Sequence, residues 1–285
     1  MRIAVGDATV SGVLDRPPSA RALLVLAHGA GAGMHHPFMT ALAGALVARG
    51  IAVLRYQFPF TEAGTRRPDR APVLEATVRA AVAAGRALGL PTFAGGKSMG
   101  GRMTTQAAAG GDLDVLGIVL VGFPLHPPKK TRSGGPDRVG PGATKPAGTE
   151  RARHLAQVPV PTLFLQGTRD ALAPLAELRP VLRRLPHAEL CVVDTADHGF
   201  ALLARRKGDD VHAELADAIV AFVDARLEAT RPAASRGRSA SRPAPASTPA
   251  ARSTRPRRRT QRRTECTTRR PEAAEEACRR SRTGR

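Results

Sequence analysis

The sequence predicts an α/β protein with a mostly parallel, doubly wound sheet, helices on both faces and no large cap domain. Two patterns carry this expectation. Short apolar runs of strand length alternate with longer stretches of helical spacing, as in successive βαβ units. The runs are almost continuously apolar, which suits central parallel strands covered on both sides.

Ala22 to Ala27 (ALLVLA) reads as the first buried strand and Ile51 to Tyr56 as the next. Between them, Pro37 to Arg49 has helical spacing and ends at Gly50, a natural C-terminal cap. Ala71 to Leu88 is a second, Ala-rich helix before a short strand at Thr92 to Gly95. Val115 to Val121, Thr162 to Leu165 and Leu190 to Val193 supply three more strands, with helices expected over Leu172 to Arg184 and Val211 to Glu228. Arg2 to Val5 and Thr9 to Leu14 read as an antiparallel edge pair. Phe123 to Glu150 breaks the rhythm, being crowded with Pro, Gly, Lys and Arg. A loop this long in a compact domain is usually functional or mobile.

Charge divides the chain. Of its net +20, +13 lies in residues 231 to 285, which hold 17 Arg against 4 Glu and no Val, Ile, Leu, Met, Phe, Tyr or Trp. A segment without large apolar side chains cannot offset the entropy of ordering its backbone. The expectation is therefore one globular domain over residues 1–229 and a disordered Arg-rich tail over 230–285. The N-terminus has no apolar core of a signal peptide, and no apolar run approaches the roughly 18 residues that a membrane helix needs. With its three cysteines scattered as Cys191, Cys266 and Cys278, the chain has no disulfide framework, and a cytoplasmic location is expected.

The sharpest chemical signal is Gly96-Lys97-Ser98-Met99-Gly100, between the Thr92–Gly95 strand and a helical run through Ala109. A G-x-S-x-G sequence at a strand-to-helix turn holds its serine in a strained conformation, and the flanking glycines remove collisions around it. Phosphate-loop and dinucleotide-loop readings fail on spacing: position 91 is Pro, and positions 34 and 36 are Met and His where glycine is required. A serine hydroxyl needs a base, and the base needs an acid to fix its tautomer. Asp170 follows the Thr162–Leu165 strand, and His198 follows the Leu190–Val193 strand, so all three emerge at one sheet edge. Asp194 competes with Asp170 for the acid role, and Asp197 is a more distant candidate. Oxyanion donors are expected from the Met99 N–H and from the His28–Gly33 loop, with Ala30 favoured.

These residues resemble the α/β-hydrolase-like family that includes testis-expressed and NSL-complex-subunit proteins, close to the dienelactone hydrolases. The likeness rests on His28–Gly33, Tyr56–Gly64, Gly95–Arg102, Phe123–Pro128, Leu165–Asp170 and Asp197–Phe200, spanning roughly residues 22 to 225. Dienelactone hydrolases carry cysteine at the elbow where this chain has Ser98, and Thr131–Thr149 stands as an insertion against the family pattern. The resemblance implies an α/β-hydrolase fold and a serine hydrolase that cleaves a small carboxylic ester or related acyl compound without a cofactor. Because the family also includes scaffolds, a non-catalytic binding protein is the alternative.

Glu62 and His126, on loops expected near the cleft, are candidate substrate contacts. His28 reads as a loop-ordering hydrogen-bond partner rather than a catalyst. Together with His35 and His36 it lacks accompanying ligands, so no metal is expected. Lys97 and Arg102 read as ordinary solvated or paired charges. The basic tail could bind nucleic acid or an anionic surface by counterion release, but it has no aromatic side chains for base stacking. A solvated extension is the simpler reading.

Overall fold

Successive side chains of the central strands point into two separate cores, and this alternation fixes the layering of the molecule. The computed structural model describes residues 1–127, 148–203, 210–230 and 265–267. Its strands are β1 (Arg2–Val5), β2 (Ala8–Asp15), β3 (Ala22–Ala27), β4 (Ile51–Tyr56), β5 (Thr92–Lys97), β6 (Ile118–Val121), β7 (Thr162–Gly167), β8 (Ala188–Val193) and β9 (Glu265–Thr267). The helices are α1 (Pro37–Val47), α2 (Pro59–Glu62), α3 (Ala71–Arg86), α4 (Met99–Ala109), α5 (Gly148–Ala152), α6 (Leu175–Leu182) and α7 (Val211–Thr230), with a 3₁₀ turn at Arg153–Gln157.

The sheet order is β1-β2-β4-β3-β5-β6-β7-β8-β9. Strands β4, β3, β5, β6, β7 and β8 are mutually parallel, and β1, β2 and β9 are antiparallel additions at the edges. Leu24 and Leu26 of β3 join α1 residues Met39 and Leu42 and α7 residues Ile219 and Phe222 in one core. Leu23 and Val25 face the opposite core with α3 residues Leu74 and Val78 and α4 residue Met103. Helices thus cover both faces, as the apolar strands require. Each fully buried Leu or Phe contributes roughly 1.5–3 kcal/mol.

Local differences from the expected elements have local causes. β5 runs two residues further than Gly95, because Gly96 pairs with Ala27 and Lys97 with Val121. The helix expected from Leu172 begins at Leu175: Asp170 Oδ1 accepts the Leu172 N–H at 2.8 Å, and Pro174 takes the N-cap. α1 ends at Val47 with Ala48 at the C-cap, two residues short of the expected Gly50, whose φ of +78° is the left-handed conformation glycine tolerates. Residues 131–147 of the expected insertion lie outside the described residues, as does most of the Arg-rich segment. Three residues of that segment, Glu265–Thr267, pair antiparallel with β8. Among the described residues no helix is long and apolar enough to cross a membrane.

Two polar groups, Arg55 buried and His154 half-buried, tie the layers together. Arg55 on β4 is only 4% exposed. It bonds Asp15 Oδ2 at 2.7 Å, and it donates to the Met34 carbonyl at 2.7 Å and to Thr40 Oγ1 at 3.0 Å. It thereby fixes the loop between β3 and α1 to the sheet. Behind α4, His154 Nε2 lies 2.8 Å from Thr105 Oγ1 in a hydrogen bond. Burial, aided by the nearby Arg102 charge, lowers its pKa to about 4.

Two outcomes follow. Arg55→Ala leaves Asp15 and the Met34 carbonyl without their partner and should destabilise the protein by about 2–3 kcal/mol in urea unfolding. A loss below 1 kcal/mol would mean that water replaces the guanidinium. His154 stays neutral in the folded protein while the unfolded chain takes up a proton near pH 6.5. The unfolded state then binds more protons, so stability is full above that pH and is lost as pH falls from about 6.5 to about 4. His154→Gln should reduce the stability difference between pH 7 and pH 4.5 by about 2 kcal/mol. An unaltered acid slope would refute this reading.

Candidate active site

Ser98 sits at the junction of β5 and α4 with φ 51° and ψ −113°, a backbone conformation costly for any residue with a Cβ. Its N–H bonds the Val121 carbonyl at 3.0 Å, and its carbonyl accepts the Arg102 N–H at 3.1 Å, so strand and helix both grip the turn. A Cβ on Gly96 would lie 2.6 Å from the Gly100 carbonyl carbon, and one on Gly100 would lie 2.6 Å from the His28 carbonyl oxygen. The two glycines therefore let α4 start directly against the end of β3. Met99 is the first residue of α4, so its N–H has no intrahelical acceptor.

His198 Nε2 lies 2.9 Å from Ser98 Oγ, and His198 Nδ1 lies 2.8 Å from Asp170 Oδ2. Asp170 is 2% exposed and further held by Gln166, whose Nε2 donates to Oδ2 at 2.6 Å. With the Leu172 N–H on Oδ1, the carboxylate has donors on both oxygens. Asp194 instead accepts from the Thr195 N–H at 2.9 Å, and Asp197 accepts from the Ala201 N–H at 2.9 Å. The order β7–Asp170, β8–His198 thus brings Asp170, and not its two rivals, to the imidazole.

The His28–Gly33 loop crosses above the same edge. His28 is fully buried, and burial lowers its pKa, keeping it neutral. Its Nε2 accepts the Phe58 N–H at 3.1 Å and its Nδ1 faces the Gly29 carbonyl at 2.8 Å, so the ring orders the loop as expected. Ala30 and Met99 line a cleft of about 640 Å³ together with Ser98, His198, Lys97, Arg102 and Arg151. The other predicted contacts fall elsewhere. Glu62 binds Arg2 at 2.6 Å and the Ser11 N–H at 2.9 Å at the β1–β2 edge. His126 Nε2 pairs with Glu177 Oε2 at 2.7 Å on the surface. Both side chains are engaged by neighbours away from the cleft, and neither lines it.

Lys97 is not an ordinary solvated charge. Its Nζ donates to the His198 carbonyl at 2.6 Å and lies 5.0 Å and 4.9 Å from the ring centres of Phe38 and Phe200. Burial lowers its pKa to about 8, with Asp170 and Asp197 acting in the opposite direction. Phe200 itself adopts φ 65°, so the His198 loop is bent sharply back over Lys97. Gln166 was also missed by sequence reasoning; its position at the end of β7, four residues before Asp170, was the available signal. Among the described residues no cluster of three His, Cys, Asp or Glu side chains could hold a metal ion.

The comparisons with known proteins bear on this arrangement. Est1E from Butyrivibrio proteoclasticus with ferulic acid bound is 16% identical, with a TM-score of 0.60 over 80% of this chain and 99% of that one. A dienelactone hydrolase from Anabaena variabilis is 20% identical, with a TM-score of 0.58 over 80% and 95% of the two chains. A monoacylglycerol lipase from Paleococcus ferrophilus is 18% identical, with a TM-score of 0.56 over 76% and 99%. At these identities the likeness concerns the fold. A sequence model of the alpha/beta hydrolase domain matches residues 20–225, which include Ser98, Asp170 and His198. The chain belongs to the alpha/beta hydrolase family.

Proposed function

We propose that the protein is a serine hydrolase that cleaves a small carboxylic ester or related acyl compound through an acyl-enzyme. The observation that carries this reading is the unbroken chain of hydrogen bonds from Ser98 Oγ through His198 to buried Asp170, opening on a cleft. His198 Nε2 takes the hydroxyl proton as Ser98 Oγ attacks the substrate carbonyl carbon. Asp170 keeps the remaining proton on Nδ1 and stabilises the imidazolium. The N–H groups of Met99 and Ala30 face the charge that develops on the carbonyl oxygen, each worth about 3 kcal/mol in such sites. His198 then returns its proton to the departing alcohol. A water molecule, deprotonated by the same imidazole, releases the acid and restores Ser98. No step calls for a cofactor.

Covalent labelling with a fluorophosphonate and turnover of a p-nitrophenyl ester test the reading. Ser98→Ala should abolish both while the protein stays folded. His198→Ala and Asp170→Asn should each lower kcat by roughly 10³–10⁴-fold and add little to Ser98→Ala, because the three act as a unit. Labelling undiminished in Ser98→Ala would sink the nucleophile assignment. Wild type that neither labels nor turns over a broad ester panel would favour the non-catalytic scaffold.

A further inference from the structure

The cleft is unevenly charged. Arg102 and Arg151 both line it beside Ser98 and His198. Arg102 lies in the first turn of α4, and its backbone N–H bonds the Ser98 carbonyl at 3.1 Å. Its Nε is buried without a hydrogen-bond partner, and its Nη1 reaches only Gln106 Oε1, at 3.2 Å. Arg151 makes no ion pair among the described residues. The two guanidiniums are close enough to repel: burial lowers the pKa of Arg102 first and the charge of Arg151 lowers it further.

Among the described residues opposing charge is sparse and already engaged. Glu75 acts on Arg102 from α3 but pairs with Arg79 at 3.7 Å. Asp69 lines the cleft, yet its Oδ2 accepts the Phe60 N–H at 2.9 Å. Lys97 adds a third cation, committed to the His198 carbonyl. A partly buried guanidinium with an unmet N–H is costly unless an anion completes it. Its planar array of donors matches a carboxylate or phosphate.

Resting on the proposed hydrolase chemistry of the same cleft, we infer that the substrate is an anionic ester whose carboxylate or phosphate is gripped by Arg102 and Arg151. Because both arginines line the cleft with Ser98, the anion lies within a few bonds of the scissile carbonyl. Arg102 and Arg151 act as specificity determinants, drawing the ester in and setting its reacting carbon over Ser98. Neither exchanges a proton.

Two matched ester pairs test this and locate the anion. p-Nitrophenyl hemiglutarate against p-nitrophenyl valerate places the charge on the acyl half. 4-Acetoxybenzoate against its methyl ester places it on the departing half. Wild type should favour the charged member of at least one pair by about tenfold or more in kcat/KM, chiefly through KM, and lose that preference in high salt. Arg102→Met and Arg151→Met should each shrink the charged-to-neutral ratio about tenfold, and Arg102→Lys should shrink it less than Arg102→Met. Binding of glutarate or benzoate to folded Ser98→Ala protein, followed by titration calorimetry, needs no turnover. It separates this inference from the hydrolase reading: anion binding that Arg102→Met weakens stands even if no ester is cleaved. A ratio near one for both pairs in wild type, or a preference untouched by both Arg→Met changes, overturns the inference.

Discussion

Everything at the candidate site hangs on the left-handed turn at Ser98. A non-glycine residue with φ 51° stores on the order of 1–3 kcal/mol, and the conformation persists only because its surroundings leave no alternative. β5 is clamped between β3 and β6, and α4 packs against the ends of β5 and β3 through a backbone approach that glycine at 96, 100 and 101 permits. Relaxing the serine would need strand and helix to part. The same approach stacks the start of α4 on the end of β3, bringing the Met99 N–H and the His28–Gly33 loop to one point. Strain at one residue is thus the condition for the start of α4, the His28–Gly33 loop and the Ser98 hydroxyl to meet at one cleft.

The sheet order explains why convergence occurs at this edge. β3 connects outward to β4 on one side while β5 takes its place on the other. Connections leaving the carboxyl ends of these two strands therefore diverge and open a crevice. β7 and β8, farther along, send Asp170 and His198 back toward it. Their loops need ties of their own. Gln166 and the Leu172 N–H fix the carboxylate, and Lys97 fixes the histidine loop through its carbonyl. Lys97, next to Ser98, thus holds the loop that carries His198, and a displacement of β5 would move both together.

How much of this could be read from the sequence depends on the range of the interaction. The strands were legible because burial on both faces leaves runs such as ALLVLA with no polar positions. Ser98, Asp170 and His198 were legible as candidates because strand ends are visible in sequence and parallel strands place their ends together. Asp170 was preferred from its place just past the β7 end with Asp194 as its rival, since both follow a strand, and it is Asp170 that hydrogen-bonds His198 Nδ1. Glu62 and His126 failed for the complementary reason. They lie on the right loops, but Arg2 with Ser11 draws one away and Glu177 the other. Those partners are remote in sequence and carry no local signature. The short helices α2 and α5 were missed because neither is long enough to show a period.

Lys97 shows how one position can mislead at both levels. Flanking an elbow, a lysine looks like a solvated charge, and most are. Here Phe38 comes from α1 and Phe200 from the loop after β8, and the two rings close over its ammonium. The charge is retained at neutral pH because ring faces and the His198 carbonyl replace part of the lost hydration, while burial still lowers the pKa to about 8. Its bond to the backbone sets Lys97 apart from Arg102 and Arg151 in the same cleft. A lysine already bonded to the backbone has little left to offer a ligand. Guanidiniums, which stay charged and present five donors each, keep unused capacity. The difference among the three cations follows from their chemistry: the ammonium braces the His198 loop, and the guanidiniums line the cleft with donors to spare.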